Sequence, residues 1–345
     1  MYHNRIDKIS EILGNIPRFR FDQIHTALFD MSIHSWNDIT TLSKDMREQL
    51  KEIPWMSISL VHMFENADHD TFKTVLQTGD GKNFESVLMA NKKGQWTICV
   101  SSQIGCAMRC SFCATGTMGL KRSMGSDEIM DQYRFWQDFL QTKPNIPQRI
   151  SNIVFMGMGE PLANYDNVKQ AIHAWLDYTD LGSTKIMVST VGVLSQMEKL
   201  LTDPEWPAVR IAISLHSANQ VRREEIVPTT TPDFIKKLAV WSHAYQKQLG
   251  NRTHYLTFEY TLISHVNDTI ELAEELARYM VKTAVKKINV IPYNPVYGKT
   301  FNRAERDRID AFKQILRDHG VNVTERKTMG DDIDAACGQL ALREG

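Results

Sequence analysis

Residues 97–122, TICVSSQIGCAMRCSFCATGTMGLKR, carry three cysteines spaced Cys-x3-Cys-x2-Cys: Cys106, Cys110 and Cys113. Thiolates are soft ligands that suit iron–sulfur clusters or zinc. A structural zinc site takes four protein ligands, and no Cys or His follows closely after Cys113. Three thiolates leave one coordination position to be filled from elsewhere, and an open iron can take that ligand from a substrate. The bland alternative is three buried or zinc-binding cysteines.

Upstream of this loop the chain reads as short β runs, KTVLQT, NFESVLMAN and QWTICVSS. They are broken by Gly79-Asp80-Gly81 and Lys92-Lys93-Gly94. Turn residues between short apolar runs predict hairpins. Farther upstream, residues 1–75 read as helical. Ile6, Ile9, Ile12 and Leu13 form one apolar stripe closed by Gly14, and Phe21, Ile24, Leu28 and Phe29 form another. Ser43 can cap a third helix carrying Met46 and Leu50.

Downstream, strand and helix patterns alternate. RISNIVFMG, KIMVST, VRIAISL, HYLTFEYTLI and KKINVIPY are strands, each followed by a helical stretch, and VNVTER is a last short strand. Repeated βα units with near-continuous apolar strands predict a parallel sheet with outer helices. About six units predict an α/β fold of partial (β/α)6 barrel type, not a closed set of eight. The expected division is an N-terminal helical domain over 1–72, a small β extension over 73–96 and the barrel with its tail over 97–345.

In such folds the chemistry sits at the C-terminal ends of the strands. GMGEP, Gly157 to Pro161, follows a strand. Its glycines allow close backbone approach, and Glu160 can accept from an ammonium. Ser189 in VSTVG, His216 in ISLHS and Asn294 in IPYNP end other strands. Taken singly, the glycine segment reads as a plain turn, His216 as a satisfied core histidine and Asn294 as a turn former. Together they predict a ligand site.

The 345 residues are 42% hydrophobic and 23% charged, ordinary for a soluble globular protein. No apolar run approaches the roughly 18–20 residues of a membrane span. The first residues, MYHNRIDKIS, carry charge where a signal peptide needs an apolar core. The expected location is the cytoplasm. Net charge is −1, so nucleic-acid binding must use local patches. The candidates are Lys92/Lys93, Lys121/Arg122, Arg222/Arg223, Lys286/Lys287 and Arg303/Arg306/Arg308; for each pair alone, a solvated face is the commoner meaning. In a reducing compartment five cysteines do not predict a disulfide framework. Cys99 and Cys337 are left over from the loop.

The cysteine loop resembles the radical S-adenosylmethionine (SAM) superfamily. There, three cysteines hold a [4Fe–4S] cluster, and SAM chelates the fourth iron and is cleaved to a 5′-deoxyadenosyl radical. CVSSQIGCAMRCSFCATG, FMGMGEP, VSTVG, ISLHS, INVIPYNP and DDIDAACGQL, in that order, further resemble the RlmN/Cfr family of RNA methyltransferases. The resemblance runs from LSKDMREQL to the tail. It implies that Cys106, Cys110 and Cys113 bind the cluster, and that Gly159, Glu160, Ser189, Leu215, His216, Ser217 and Asn294 bind SAM. It also implies that Cys337 is methylated during turnover, Cys99 is the second catalytic cysteine and Glu85 is the proton acceptor.

The implied reaction uses two SAM molecules. One methylates Cys337, and the other yields the radical that activates that methyl for addition to adenine. Cys99 then releases the RNA by forming a disulfide with Cys337, which is the implied resting form. Expected substrates are carbon 2 of adenosine in 23S ribosomal RNA and, with it, transfer RNA. The expected electron donor is of low potential, such as flavodoxin or ferredoxin, and the expected state is a monomer. Cfr-like methylation of carbon 8 is the near alternative, and a non-enzymatic iron–sulfur RNA-binding protein the distant one.

Overall fold

The computed structural model describes residues 5–14, 16–251 and 254–342. Helices α1 (Arg5–Leu13), α2 (Arg18–Phe29) and α3 (Lys44–Leu50) open the chain. Gly14 ends α1 at φ +68°, and the Ser43 hydroxyl caps α3 by accepting from the Met46 N–H at 3.2 Å. These helices bury a core of their own, around Ile9, Ile24, Leu28, Trp36 and Leu50. The helical pattern stops well before residue 72. Ile58–Glu65 is strand β1, the outermost of an antiparallel set with β2 (Thr71–Thr78) and β3 (Asn83–Ala90). Its alternation is masked in sequence because most of this edge strand faces solvent.

β3 pairs antiparallel with β4 (Trp96–Cys99), which starts the parallel part. Beyond it come a two-stranded ribbon, β5 (Gln103–Ile104) and β6 (Arg122–Ser123), around helix α4 (Ala114–Met118). The βα repeat follows: α5 (Ser126–Gln141), β7 (Ile150–Phe155), α6 (Tyr165–Tyr178), β8 (Ile186–Thr190), α7 (Leu194–Thr202) and β9 (Arg210–Ser214). Helices α8 (Gln220–Ile226) and α9 (Phe234–Gln248) precede β10 (Leu256–Leu262). Then come α10 (Ile270–Thr283), β11 (Lys287–Pro292), α11 (Arg306–Asp318) and β12 (Asn322–Glu325). The ten-stranded sheet runs β1-β2-β3-β4-β7-β8-β9-β10-β11-β12, with β1 and β12 as its two ends, so the barrel is open, as the six-unit reading predicts.

The strands depart from expectation in one respect: they are not apolar on both faces. Side chains alternate along a strand, and the inward columns carry Asn152, Ser189, Arg210, Ser214, Glu259 and Asn289, all lining internal cavities. A barrel interior filled only with branched apolar residues would leave no site. Here the outer faces pack on the helices, and the inner faces are partly polar.

Helix α5 is buried along most of its length, wedged between barrel and N-terminal helices. Asp131 is its pivot. Its carboxylate accepts from the guanidinium of Arg5, from Arg134 Nη1 at 2.6 Å and from the Ser57 N–H at 2.6 Å. Burial alone would raise the Asp131 pKa, but Arg5 and Arg134 overrule it and hold the carboxyl well below the usual range. Removing one partner of a buried ion network leaves uncompensated charge, so Asp131→Ala is expected to destabilise the fold by about 3–5 kcal/mol. Urea unfolding measures this. Because the folded pKa is depressed, the contribution is full above the unfolded value of about 3.9 and fades as pH falls below it.

Candidate active site

The cysteine loop leaves β4 and is pinched shut by glycine. Gly105 lies at φ +75°, and a Cβ there would stand 1.9 Å from the Gly119 carbonyl oxygen, so no larger residue fits. The Cys106 N–H donates to that same oxygen at 3.2 Å, and the Cys113 N–H to the Cys110 carbonyl at 3.1 Å. All three cysteines line one pocket. Among the described residues, no three His, Cys, Asp or Glu side chains converge as a single ion requires. Three thiols at one pocket, with no fourth protein ligand beside them among the described residues, suit a cluster that leaves one iron open better than a four-ligand zinc site. Burial pushes the Cys106 thiol up to about 12 and raises Cys110 as well. Iron binding supplies the charge that removes such protons.

The GMGEP turn forms the next wall. Gly159 sits at φ +100°, where a Cβ would come within 2.5 Å of Gln103 Cβ. That close approach lets the Gln103 side-chain carbonyl accept from the Glu160 N–H at 2.9 Å. Glu160 is buried, and its oxygens accept from Leu162 N at 3.0 Å and Val191 N at 2.9 Å. Burial raises its pKa, with Thr190, Val191 and Leu162 opposing.

Ser189 and His216 face the same pocket, and Ser189 Oγ lies 3.2 Å from Ser214 Oγ. The Thr261 N–H donates to His216 Nδ1 at 3.0 Å. Burial lowers the His216 pKa to about 3, so the ring is neutral with its proton on Nε2. Leu215, Ser217 and Asn294 are not among the residues lining this pocket. Leu215 joins the main core, and the Ser217 hydroxyl accepts from Asn219 N at 3.1 Å. Asn294 lines the neighbouring cavity, donating to the Cys337 carbonyl at 3.2 Å and accepting from Arg303 and Thr328.

That neighbouring cavity brings the two leftover cysteines together. Cys99 ends β4 and Cys337 lies on the tail, and both line it. Cys337 also lines the cluster-side pocket, so it stands between the two spaces and is exposed to them. All five cysteines are free thiols, so the disulfide implied by the resemblance is not present. Glu85 does not line either cavity. It is fully buried on β3, where its Oε2 accepts from Ala341 N at 2.7 Å and Leu342 N at 3.3 Å. Its Oε1 makes no hydrogen bond, and Lys73 Nζ stands 3.3 Å away. Burial raises its pKa despite Lys73.

Two charged residues escaped the sequence reading. Glu259, mid-strand on β10, accepts from Asn289 Nδ2 at 2.6 Å and faces Arg326 Nη1 at 3.6 Å. Arg326 lines both cavities that Cys337 lines. Burial raises the pKa of Cys99 to about 12 and raises that of Cys337, and the guanidinium opposes the rise at both. A polar residue amid HYLTFEYTLI was the available signal for Glu259; nothing local singled out Arg326. Arg326→Gln is expected to slow alkylation of Cys337 by iodoacetamide roughly tenfold at fixed pH, because the thiolate loses the cation that favours it. Arg326→Lys should recover part of the rate. Mass spectrometry of the Cys337 peptide reads it, and an unchanged rate would remove Arg326 from this role.

Residues 100–312 match the Radical SAM superfamily. The chain is 40% identical to a "Probable dual-specificity RNA methyltransferase RlmN" of Picosynechococcus sp., over 94% of this chain and 90% of that protein. It is 39% identical to a "Ribosomal RNA large subunit methyltransferase N" of Nitrosopumilus maritimus, over 94% and 92%. A crystal structure of a radical SAM methyltransferase from Sphaerobacter thermophilus superposes with a TM-score of 0.87 at 34% identity, covering 98% of this chain and 97% of that one.

Proposed function

The chain belongs to the radical SAM superfamily and, within it, to the RlmN family of RNA adenine methyltransferases, and from that premise we propose that it methylates carbon 2 of adenosine in 23S ribosomal RNA and in transfer RNA. One observation carries the mechanism: Cys337 stands in the wall between the cluster-side pocket and the cavity that holds Cys99. A methyl carrier must face its donor on one side and its acceptor on the other.

The family implies a [4Fe–4S] cluster and SAM. Cys106, Cys110 and Cys113 would hold the cluster, with Gly159, Glu160, Ser189 and His216 around SAM. When bound, these groups supply the methyl, the single electron and the radical that activates the methyl. Carbon 2 of adenine is electron-poor, so a methyl cation does not add to it directly.

The chain's own residues do the rest. Cys337 attacks as a thiolate, which Arg326 favours. Once one hydrogen atom has been removed from the methyl on Cys337, its carbon bonds to carbon 2 of adenine, and the adduct gives up one electron and the carbon 2 proton. The Cys99 thiolate then attacks the Cys337 sulfur, the sulfur–carbon bond breaks as the disulfide forms, and the electron pair left on the carbon takes up a proton to complete the methyl. The family resemblance makes Glu85 the proton acceptor, yet here it lies behind the cavity walls with Lys73 Nζ 3.3 Å from its Oε1 and the Ala341 and Leu342 N–H groups on its Oε2, so a shift of the tail that holds it is needed before it meets the adduct. A low-potential donor such as flavodoxin or ferredoxin fits the electron demand. Among the described residues no helix is long and apolar enough to cross a membrane.

SAM with a deuterated methyl group tests the proposal. Reduced, anaerobically reconstituted protein is incubated with unmodified ribosomal and transfer RNA, and both RNA and protein are digested for mass spectrometry. Label in 2-methyladenosine and on Cys337 is the expected result. Label in 8-methyladenosine would move the regiochemistry to the Cfr type, and label on neither RNA nor Cys337 would overturn the scheme.

A further inference from the structure

The tail motif DDIDAACGQL holds a buried polar side chain that the reaction scheme leaves without a task. Gln339 lies two residues past Cys337 and is 5% exposed, and both ends of its amide are engaged. Its Oε1 accepts from the Ala336 N–H at 3.0 Å. Its Nε2 donates to the Pro295 carbonyl at 3.0 Å and to Asp331 Oδ1 at 2.7 Å. These partners fix which way the amide points, because a backbone N–H only donates, and a proline carbonyl and an ionised carboxylate only accept.

The bonds close a turn around the methyl carrier. The Gln339 N–H donates to the Ala336 carbonyl at 3.0 Å, and Gly338, third of the four residues, sits at φ +88°. A left-handed third position calls for glycine in such a turn, and Cys337 then stands at its corner. The Gln339 side chain folds back on Ala336, so one amide ties the residues on both sides of Cys337. Its Nε2 fastens the closed turn to the chain just beyond β11. There the neighbouring Asn294 donates to the Cys337 carbonyl at 3.2 Å. Arg303 completes the network, with Nη2 donating to Asn294 Oδ1 at 2.9 Å and standing 3.8 Å from Asp331 Oδ2. The carboxylate that Gln339 donates to therefore has its counter-charge.

We propose that Gln339 is the positioning residue of the methyl carrier: its amide fastens the Ala336–Gln339 turn to the strand end, so that the Cys337 sulfur meets the methyl of SAM in line. The proposal rests on the reading that Cys337 takes a methyl from SAM. In that step the thiolate bonds to the methyl carbon as the sulfonium–carbon bond breaks. The electron pair leaves with S-adenosylhomocysteine, and nothing is oxidised or reduced. Such a displacement tolerates little error in placement, and a shift of about 1 Å can cost on the order of 10²-fold in rate.

Gln339→Glu tests this directly. It keeps the shape of the side chain and sets oxygen against oxygen at both Pro295 and Asp331. Reconstituted protein is given SAM with a deuterated methyl and no RNA, and labelling of Cys337 is followed by mass spectrometry over a range of SAM concentrations. Alkylation of Cys337 by iodoacetamide is read separately on protein without cluster or SAM. The maximal labelling rate should fall at least about tenfold, with KM for SAM within about twofold of wild type. Alkylation should be within about threefold of wild type or faster, because a small diffusing reagent does not need the sulfur held in line. In Gln339→Glu/Asp331→Asn the new amide can donate to the new carboxylate, which should return about threefold or more of the lost rate. Unfolding temperature and iron content are the controls. If Gln339→Glu does not take up iron, Gln339→Met, which removes the bonds without adding charge, is measured with the same expectations.

Labelling within about twofold of wild type would overturn the role of Gln339 and leave the methyltransferase reading intact. So would a loss of rate carried by KM, or one matched by an equal loss of alkylation. Wild-type Cys337 that takes no label would overturn the reading itself and the proposal with it.

Discussion

Cys337→Ala is expected to lower RNA methylation by on the order of 10³-fold or more, the usual cost of removing a nucleophile, while leaving the fold and iron content unchanged. The bonds that seat this part of the tail explain why the two effects separate. They run from backbone atoms: the Cys337 carbonyl to Asn294, the Gly338 carbonyl to Ala114 N, and the Ala341 and Leu342 N–H groups to Glu85. Alanine keeps every one of them. The Cys337 side chain lies open to two cavities, so its truncation creates no sealed void. Nucleoside mass spectrometry gives the activity, and iron analysis with thermal unfolding gives the controls. Methylation within tenfold of wild type would show that the methyl travels to RNA without this sulfur.

Cys99→Ala is expected to fail later and more visibly. Cys337 should still take its methyl, and the carbon should still add to adenine, but no thiol is then placed to break the link. The protein should accumulate with RNA attached through Cys337, surviving denaturing electrophoresis, while free product falls by about 10²-fold or more. The shared cavity is the physical basis, because Cys99 and Cys337 line the same space with Arg326 as the nearby cation. If Cys99 only filled core, its removal would lower stability and leave turnover free of adduct. Normal amounts of released product without a covalent complex would place the resolving group elsewhere.

Much of this site was legible because it is local. Three cysteines within eight residues, a glycine pair after a strand and a histidine closing another strand are each read from a short window. The hairpins and the open, six-unit barrel followed from period and turn residues, which do not depend on distant parts of the chain. What escaped was set by closure of the sheet. Whether Arg210 or Glu259 faces helices or interior depends on strand parity and on which residue starts the strand. Arg326 acquires its role only because β12 pairs with β11 and the chain leaving it reaches the cavity of Cys99. Glu85 illustrates the limit best: its carboxylate receives the Ala341 N–H from 256 residues away. Nor could adjacency in sequence show that Arg122, Arg222, Arg306 and Arg308 of the basic clusters are paired with carboxylates in the fold.

The clasp between cysteine loop and tail also sets an order of assembly. A ribosome delivers Cys106, Cys110 and Cys113, and then every strand of the barrel, before it delivers Cys337. Until the tail arrives, Ala114 N and Thr115 Oγ1 lack their partners and the wall around the cluster loop is incomplete. The nascent chain therefore passes through a stage in which the cysteine loop is complete and the tail that packs on it is not yet made. A chain ended between β12 and Gly330 would stay at that stage, without its methyl carrier. Because the tail also carries Ala335 and Leu340 of the main core and the N–H groups that hold Glu85, its release would register as an inactive enzyme that melts at a lower temperature.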